Sequence, residues 1–159
     1  MKSAVCPGSF DPVTYGHLDI IERASAHFDQ VIIAVLANRR KSSLFTNEER
    51  IDMIRENTKH LRNVVVDSWY GLLVEYCRTH GVTTIVKGLR AVTDFDYELQ
   101  MAQINYQAAK VETMFMATSP THSFLSSSIV KELAHFGGDV STMVPPNVDE
   151  ALRKRVAGK

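Results

Sequence analysis

Five short runs of apolar, mostly β-branched residues divide the chain, and each precedes a longer segment with helical spacing. The runs span residues 3–6, 31–36, 64–66, 83–86 and 113–116. Strands separated by helix-length segments pair in parallel, because a parallel pair needs a crossover connection. The alternation therefore predicts an α/β fold: a doubly wound parallel sheet with right-handed crossovers and helices on both faces. No internal repeat or linker interrupts the 159 residues, so we expect a single domain over residues 1–159.

The helical segments carry apolar residues three or four positions apart, so each is expected to cover the sheet with one face. Thr46-Asn-Glu-Glu49 and Asn147-Val-Asp-Glu150 have the capping-box spacing, which predicts two helix starts. Pro145 and Pro146 end the segment before them, so the last, C-terminal helix is expected to begin after this pair. The faces expected to be buried are Leu18, Ile21, Ala24 and Phe28 in the first helical segment, and Phe95, Leu99, Ala102 and Tyr106 in the fourth.

Charge and cysteine content limit the partners and the compartment. The chain has 18 Lys plus Arg against 18 Asp plus Glu, so its net charge of zero argues against an extended nucleic-acid footprint. No apolar run approaches the ~18 residues of a membrane span, and the N-terminus lacks the apolar stretch of a signal peptide. Cys6 and Cys77 form no CxxC pair and lie in apolar contexts. We therefore expect a soluble, cytoplasmic protein with two buried thiols.

The loop that precedes the first helix has the composition of an anion site. It reads CPGSFDPVTYGH over residues 6–17. Two prolines stiffen it, and Gly8 and Gly16 allow backbone to approach a ligand. Gly16 and His17 open a helix, where unpaired amides and the dipole favour an anion, and the histidine adds a directed donor. The alternative is a proline-rich turn with a capping histidine.

Three more loops at the carboxyl ends of predicted strands, where an open α/β sheet binds ligands, carry cations or hydroxyls. Lys87 and Arg90 follow the fourth strand and suit phosphates, or form a solvated charge pair. Glu98 would contact a ribose or a cation, or face water. Residues 118–128 are rich in hydroxyls and end in three serines at a helix start, which could cap the helix, bind phosphate or do both. Lys41 belongs to a basic loop after the second strand, which alone would be a solvated turn.

Several large classes of site are absent from the sequence. There is no GxxxxGK followed by Ser or Thr, and no GxGxxG after a strand, so neither a Walker-type nor a dinucleotide site is expected. The six histidines lack HExxH or comparable spacing, which argues against a metal site built by the protein. No GxSxG nucleophile elbow occurs.

Taken together, the motifs resemble a known family. GSFDPVTYGH is similar to the signature of the nucleotidyltransferase superfamily, with Thr14-Tyr-Gly-His17 at its core, and LSSSIVKE resembles its serine-rich second signature. Lys87-Gly-Leu-Arg90, FDYELQMAQIN and Gly137-Gly-Asp-Val occur in the same order. The resemblance covers nearly the whole chain and narrows to the bacterial phosphopantetheine adenylyltransferase family.

This resemblance implies transfer of an adenylyl group from ATP to 4'-phosphopantetheine, giving dephospho-coenzyme A and pyrophosphate in coenzyme A biosynthesis. It also implies a Rossmann-like five-stranded sheet of order 3-2-1-4-5, Mg²⁺ bound with ATP, and a homohexamer built as a dimer of trimers. Nucleic-acid and membrane partners are not expected. The alternatives are a related adenylyl- or cytidylyltransferase with another phosphate acceptor, and a non-catalytic ATP-binding protein of the same fold. A fragment of a class I aminoacyl-tRNA synthetase is disfavoured, because the chain has no basic excess for tRNA.

Family roles transfer to matching positions of this chain. The resemblance implies that His17 contacts the ATP phosphates and that Ser9 touches both ATP and the acceptor phosphate, and we expect His17 to stabilise the transition state. Lys87 stands where many members have arginine, which replaces a bidentate grip by a point charge. His122 occupies a site often filled by a larger aromatic. Implied ATP contacts are Ser9, Phe10, His17, Gly88, Leu89, Arg90, Glu98, His122, Ser123, Phe124, Leu125, Ser126, Ser127 and Ser128, and implied phosphopantetheine contacts are Ser9, Lys41, Leu73 and Lys87.

Overall fold

The computed structural model describes residues 1–37 and 42–158, and these form one five-stranded parallel sheet of order β3-β2-β1-β4-β5. The predicted fold class and the strand order implied by the resemblance are confirmed. All five predicted runs are strands, and most extend beyond the predicted ends. Their bounds are Ser3–Gly8 for β1, Gln30–Leu36 for β2, Val64–Trp69 for β3, Thr84–Leu89 for β4 and Glu112–Ala117 for β5.

The fourth strand differs from the prediction in a way that matters for the site. The β-branched run ends at Val86, so Lys87 and Gly88 were expected in the following loop. In the structure β4 continues to Leu89, with Lys87 in register with Phe115 and Gly88 with Met116 of β5. Lys87 is therefore held by a hydrogen-bonded strand and not by a loop.

Six helices connect and follow the strands in the described residues. They are α1 (Tyr15–Ser25), α2 (Asn47–Thr58), α3 (Leu73–His80), α4 (Val92–Ala109), α5 (Ser127–His135) and α6 (Pro146–Ala157). In the described part of the chain, no helix combines the length and the apolarity that a membrane crossing requires.

Apolar clusters on opposite faces of the sheet hold the layers together. One face packs β2 residues such as Ile33 against α1, α2, α5 and α6, with Leu152 of α6 fully buried. The other face packs Val5 and Ile85 against α3, including Tyr76. Successive strand residues point to opposite faces, so β2 supplies both clusters, with Ile33 in the first and Ile32 in the second. Each large side chain buried in this way contributes about 1.5–3 kcal/mol.

The two predicted capping boxes have different outcomes. Thr46 caps α2, and Glu49 accepts from the Thr46 amide at 2.7 Å, which confirms the first. The second prediction is wrong, because α6 begins at Pro146 and Asn147 therefore lies inside the first turn instead of at the N-cap. Proline suits the first position of a helix because the N–H that it lacks would have no partner within the helix. Asn147 instead accepts a hydrogen bond from Asn57 Nδ2 at 2.9 Å.

The predicted apolar faces also differ in outcome. Ile21 and Ala24 of α1 are buried as expected, and so is Phe28, although it lies beyond the end of that helix. On α4, Phe95 and Leu99 are each 37 % exposed and Tyr106 is 47 % exposed, so the expectation of a covered face is wrong for this chain. The Phe95 ring does contact the Phe115 ring of β5, at 6.0 Å between centroids. Most of the apolar surface of α4 therefore faces outward.

Candidate active site

A cavity of about 300 Å³ lies at the carboxyl ends of β1 and β4, where the strand order reverses. Ligands bind at this place in an open α/β sheet. The β1–α1 loop, the starts of α1 and α4, the end of β4 and the β5–α5 segment form its wall. The predicted site residues in that wall are Ser9, Phe10, His17, Lys87, Gly88, Arg90, Glu98, His122, Leu125, Ser126 and Ser127.

Other predicted residues lie outside this wall. Leu89, Ser123, Phe124 and Ser128 are close in sequence to lining residues but do not line the cavity. Leu73 begins α3 and packs against the apolar cluster around Tyr76 and Cys77. Lys41 falls outside the described residues.

The start of its own helix fixes the ring of His17. Thr14 is the N-cap of α1, and its hydroxyl oxygen accepts from the His17 amide at 3.4 Å. In return, the Thr14 amide donates to His17 Nδ1 at 3.0 Å, which completes a capping box. A nitrogen that accepts is unprotonated, so the neutral ring carries its proton on Nε2. The capping and the ligand-facing interpretations of His17 are thus compatible, because they use different ring nitrogens.

The charges around the cavity keep this ring neutral. Burial, together with the positive charges of Arg90 and Lys87, lowers the pKa of His17 from 6.5 to about 4. At neutral pH the ligand-free ring is therefore uncharged, with Nε2–H as a hydrogen-bond donor. A bound polyphosphate would act on the His17 pKa in the opposite direction.

Each cation of the cavity is paired with a carboxylate of α4. Lys87 Nζ lies 3.3 Å from Glu98 Oε1, and Arg90 Nε lies 3.2 Å from Asp94 Oδ2. Arg90 also donates from NH1 to the Leu125 carbonyl at 2.7 Å, which joins the end of β4 to the serine-rich segment. An incoming anion would compete with these carboxylates for the two cations.

The serines at the start of α5 are partly committed to the protein itself. Ser126 is the N-cap, and its hydroxyl oxygen accepts from the Ile129 amide at 3.1 Å. The Ser127 hydroxyl donates to the Pro12 carbonyl at 2.8 Å and so ties α5 to the first loop. Both residues still line the cavity, so the amides of this helix start and the O–H of Ser126, which only accepts in the cap, are the groups available to an anion.

The first loop is shaped by its own packing. Phe10 has φ +48°, which is uncommon for a residue other than glycine. A Cβ on Gly8 would lie 3.0 Å from the Phe10 ring, so Gly8 makes room for that ring. Gly8 also lines the cavity, and the expectation that it lets backbone approach a ligand stays a prediction. The Phe10 ring also contacts the His17 ring edge-to-face, at 5.0 Å between centroids.

Asp11 joins this loop to two distant segments. Its carboxylate accepts from the amides of Leu44 and Phe45, both at 2.9 Å, and forms an ion pair with Lys131 of α5 at 2.9 Å. Burial opposes ionisation, but the hydrogen bonds from the two amides and the charge of Lys131 prevail and lower the Asp11 pKa. The network fixes the loop against the start of α2 and against α5.

Sequence reasoning missed several of these residues. Asp94 lines the cavity, and only its spacing of four from Arg90 gave a signal for it. Thr118, the first residue of the hydroxyl-rich loop, lines the cavity too, although it was not named as a site residue. Asp11 and Lys131 are 120 positions apart, so nothing in the sequence indicated their ion pair. His122 was expected at ATP; its ring stacks on Tyr15 at 6.1 Å between centroids, while the residue still lines the cavity.

The cavity offers neither a reactive thiol nor a preformed metal site. Burial raises the pKa of the Cys6 thiol to about 12, although Lys87 acts in the opposite direction, so the thiol stays protonated. Among residues 1–37 and 42–158, no group of three or more His, Cys, Asp or Glu side chains is placed to hold a metal ion. The arrangement suits binding and orienting a polyanion with one neutral histidine donor and two cations.

Comparison with known proteins gives the class of this fold and site. The cytidylyltransferase-like family matches residues 5–133, most of the chain. A solved structure described as a putative nicotinate-nucleotide adenylyltransferase from Vibrio parahaemolyticus is similar in fold, with a TM-score of 0.66. It covers 96 % of this chain and 99 % of its own at 22 % identity, so it shows the fold alone. The chain is a member of the cytidylyltransferase-like family, within the nucleotidyltransferases.

Closer relatives narrow the family further. The phosphopantetheine adenylyltransferase of Streptomyces coelicolor is 58 % identical over the whole length of both chains. That of Frankia alni is 58 % identical over 98 % of each chain, and that of Thermobifida fusca is 55 % identical over 99 % of this chain and 96 % of its own. The chain belongs to the phosphopantetheine adenylyltransferase family, which confirms the resemblance drawn from its motifs.

Proposed function

We propose that the protein transfers the adenylyl group of ATP to 4'-phosphopantetheine, forming dephospho-coenzyme A and pyrophosphate in coenzyme A biosynthesis. The observation that carries this proposal is the cavity at the strand-order reversal, where the neutral His17 ring converges with Lys87 and Arg90. Full-length relatives at 55–58 % identity bear the name of this activity.

The chemistry suits a site without a general base. The acceptor is a phosphate monoester with a second pKa of about 6, so at neutral pH its own oxygen is the nucleophile. That oxygen attacks the α-phosphorus of ATP, and the bond to the pyrophosphate leaving group breaks. The protein aligns the two substrates and stabilises the charge that develops on the phosphoryl oxygens. A neutral His17 serves this purpose as a fixed Nε2–H donor, with no proton to transfer.

The two substrates are assigned to two sides of the cavity. ATP binds against Arg90, the first loop and the start of α5, whose amides favour phosphate. Phosphopantetheine binds with its phosphate at Ser9, Lys41 and Lys87. Leu73, exposed in part at the start of α3, is assigned to the pantetheine arm by the resemblance.

Mg²⁺ is proposed to arrive with the nucleotide. Magnesium sites at phosphates use one or two carboxylates together with the phosphate oxygens. The cavity has two carboxylates, Asp94 and Glu98, and both are already paired with cations. The donor set therefore fits an ion held chiefly by the phosphates, and such an ion would offset the negative charge between them.

The decisive experiment compares acceptors. Pyrophosphate release from ATP is measured with 4'-phosphopantetheine, nicotinamide mononucleotide and glycerol 3-phosphate in turn, and the adenylylated product is identified by mass spectrometry. We expect turnover with phosphopantetheine alone. Turnover with another acceptor would reassign the substrate, and tight ATP binding without turnover would make the protein a non-catalytic nucleotide binder.

A homohexamer, built as a dimer of trimers, is proposed as the assembly. The outward apolar surface of α4 supports it, with Val92 81 % and Ile104 57 % exposed, since surfaces of this kind are commonly covered by a partner. Sedimentation of the wild type against Ile104→Glu tests it, and a monomeric wild type would refute it. The zero net charge supports the absence of nucleic-acid and membrane partners, and the two free buried thiols fit a cytoplasmic location.

A further inference from the structure

Arg50 of α2 is a buried guanidinium that lies against the first loop. The residue is 4 % exposed. Its Nε donates to the Thr46 carbonyl at 3.3 Å, NH2 to Asn47 Oδ1 at 3.4 Å and NH1 to the Ser9 carbonyl at 2.6 Å. Within the described ranges no Asp or Glu forms an ion pair with it. A buried charge without a counter-ion is costly, so a role beyond packing is expected for it.

The contact with Ser9 fixes the orientation of one peptide plane. The Ser9–Phe10 peptide is trans, so its C=O and N–H groups point in opposite directions. With the carbonyl held toward α2, the Phe10 N–H points to the other side. Ser9 and Phe10 line the cavity, whereas no residue of α2 does. Within the described part of the chain, the Phe10 amide donates to no backbone or side-chain acceptor.

We propose that Arg50 is a positioning residue that aims the Phe10 N–H into the cavity by holding the Ser9 carbonyl. The aimed amide is a preorganised donor for the polyphosphate of the nucleotide, and it needs no rearrangement when the ligand arrives. The charge of Arg50 lies behind the same peptide and adds to its attraction for anions. Arg50 itself does not touch the ligand. The inference rests on the proposed function, because the polyphosphate is that of ATP.

If Arg50 positions this amide, its loss should lower kcat and leave the KM for phosphopantetheine nearly unchanged. In Arg50→Met the peptide is free to rotate, and we expect kcat to fall on the order of tenfold or more, since loss of one such donor costs up to about a thousandfold. The KM for phosphopantetheine should stay within about twofold. Arg55→Met is the matched control, because Arg55 lies on the same helix, is exposed and pairs weakly with Asp52 at 3.9 Å. It should leave kcat unchanged.

A spectroscopic measurement observes the peptide directly. Of the seven phenylalanines, only Phe10 and Phe124 follow a serine. A protein labelled with ¹³C-carbonyl serine and ¹⁵N-phenylalanine therefore gives two HNCO signals, each of which reports a Ser carbonyl and a Phe amide. Phe124→Leu assigns them. On addition of ATP with Mg²⁺, or of inorganic tripolyphosphate, we expect the Phe10 amide proton of the wild type to move downfield.

In the variants the two readouts must change together. Arg50→Met should displace the Ser9 carbonyl signal, abolish the Phe10 response to ATP and lower kcat. Arg50→Lys keeps the charge but not the planar fork, and it should show the same changes to a smaller extent. A folded variant with a displaced Ser9 signal and wild-type kcat overturns the inference. So does a variant whose kcat falls while both signals stay as in the wild type.

The wild type alone can also refute the inference, which matters if Arg50→Met does not fold. If ATP binds and the Phe10 proton does not move, the amide is not a ligand donor, whether or not phosphopantetheine is adenylylated. If no acceptor is adenylylated, the proposed function fails, and the response of the Phe10 signal still tests the aimed amide.

Discussion

His17→Asn separates the two uses of the histidine ring. The side-chain oxygen of Asn is attached to Cγ as Nδ1 is, so it can accept the Thr14 amide that Nδ1 accepts at 3.0 Å. Nothing in Asn reaches the place of Nε2. His17→Ala removes both groups. If Nε2–H is a preorganised donor to the transition state, losing it costs about 3 kcal/mol, which is on the order of a hundredfold in kcat.

The two variants should therefore agree in turnover and differ in stability. Both are expected to lose about a hundredfold in kcat with a modest change in ATP affinity. The free energy of unfolding should fall by about 1 kcal/mol in His17→Ala, from loss of the cap, and stay close to wild type in His17→Asn. The assays are steady-state pyrophosphate release and urea unfolding. A His17→Asn enzyme with turnover within threefold of wild type would refute the role of Nε2–H.

The lowered pKa gives the same residue a signature in stability. The folded pKa of about 4 lies below the ordinary 6.5, so between these values the unfolded chain binds a proton that the folded chain does not. The free energy of unfolding must then fall as the pH drops from 6.5 through 4, by up to about 3 kcal/mol. His17→Ala should remove this part of the pH dependence. Equal slopes in both proteins between pH 6.5 and 4 would contradict the lowered pKa of the partly buried ring.

Three further predictions concern the loops around the cavity. Asp11→Ala leaves Lys131 without its buried partner and should cost about 3–5 kcal/mol in urea unfolding at pH 7. Because the Asp11 pKa is lowered, the wild type should also lose stability relative to the variant as the pH falls below about 4. Lys41→Ala should raise the KM for phosphopantetheine about tenfold or more with little change for ATP, and a selective loss of ATP affinity would reverse the assignment. Ser127→Ala removes the hydrogen bond to Pro12 and should cost about 1 kcal/mol of stability, with kcat nearly unchanged; a hundredfold loss of kcat would show that the hydroxyl itself binds the nucleotide.

Much of the fold follows from local pattern. The strands were predictable because β-branched runs such as residues 31–36 mark buried parallel strands. Strand order was not, since periodicity says nothing about which strands are neighbours, and the order came from the resemblance. The end of the fourth strand was predicted too early, at Val86, because Lys87 and Gly88 are residues that strands disfavour. In the structure both belong to β4, because they pair in register with β5.

The residues of the candidate site also divide into those that the sequence could predict and those that it could not. His17 and Arg90 could be proposed because both lie close behind the carboxyl end of a strand, where ligands bind in this fold: His17 in the first turn of α1 and Arg90 directly after β4. Arg50 and Asp11 could not be proposed, because their roles depend on partners 41 and 120 positions away in the chain. The face of α4 was misjudged for a different reason. Its spacing is that of a buried face, and spacing alone does not say whether the sheet or another chain covers it.

The pairing of Lys87 with Glu98 and of Arg90 with Asp94 means that the cavity contains carboxylate counter-ions for these two cations. At these two cations, binding phosphate is then an exchange of anions, and their contribution to the affinity is the difference between phosphate and carboxylate. Such a site holds no polyanion irreversibly. On the proposed assignment of substrates, Asp94 would pair again with Arg90 as pyrophosphate leaves, and Glu98 would pair again with Lys87 as the adenylylated product leaves.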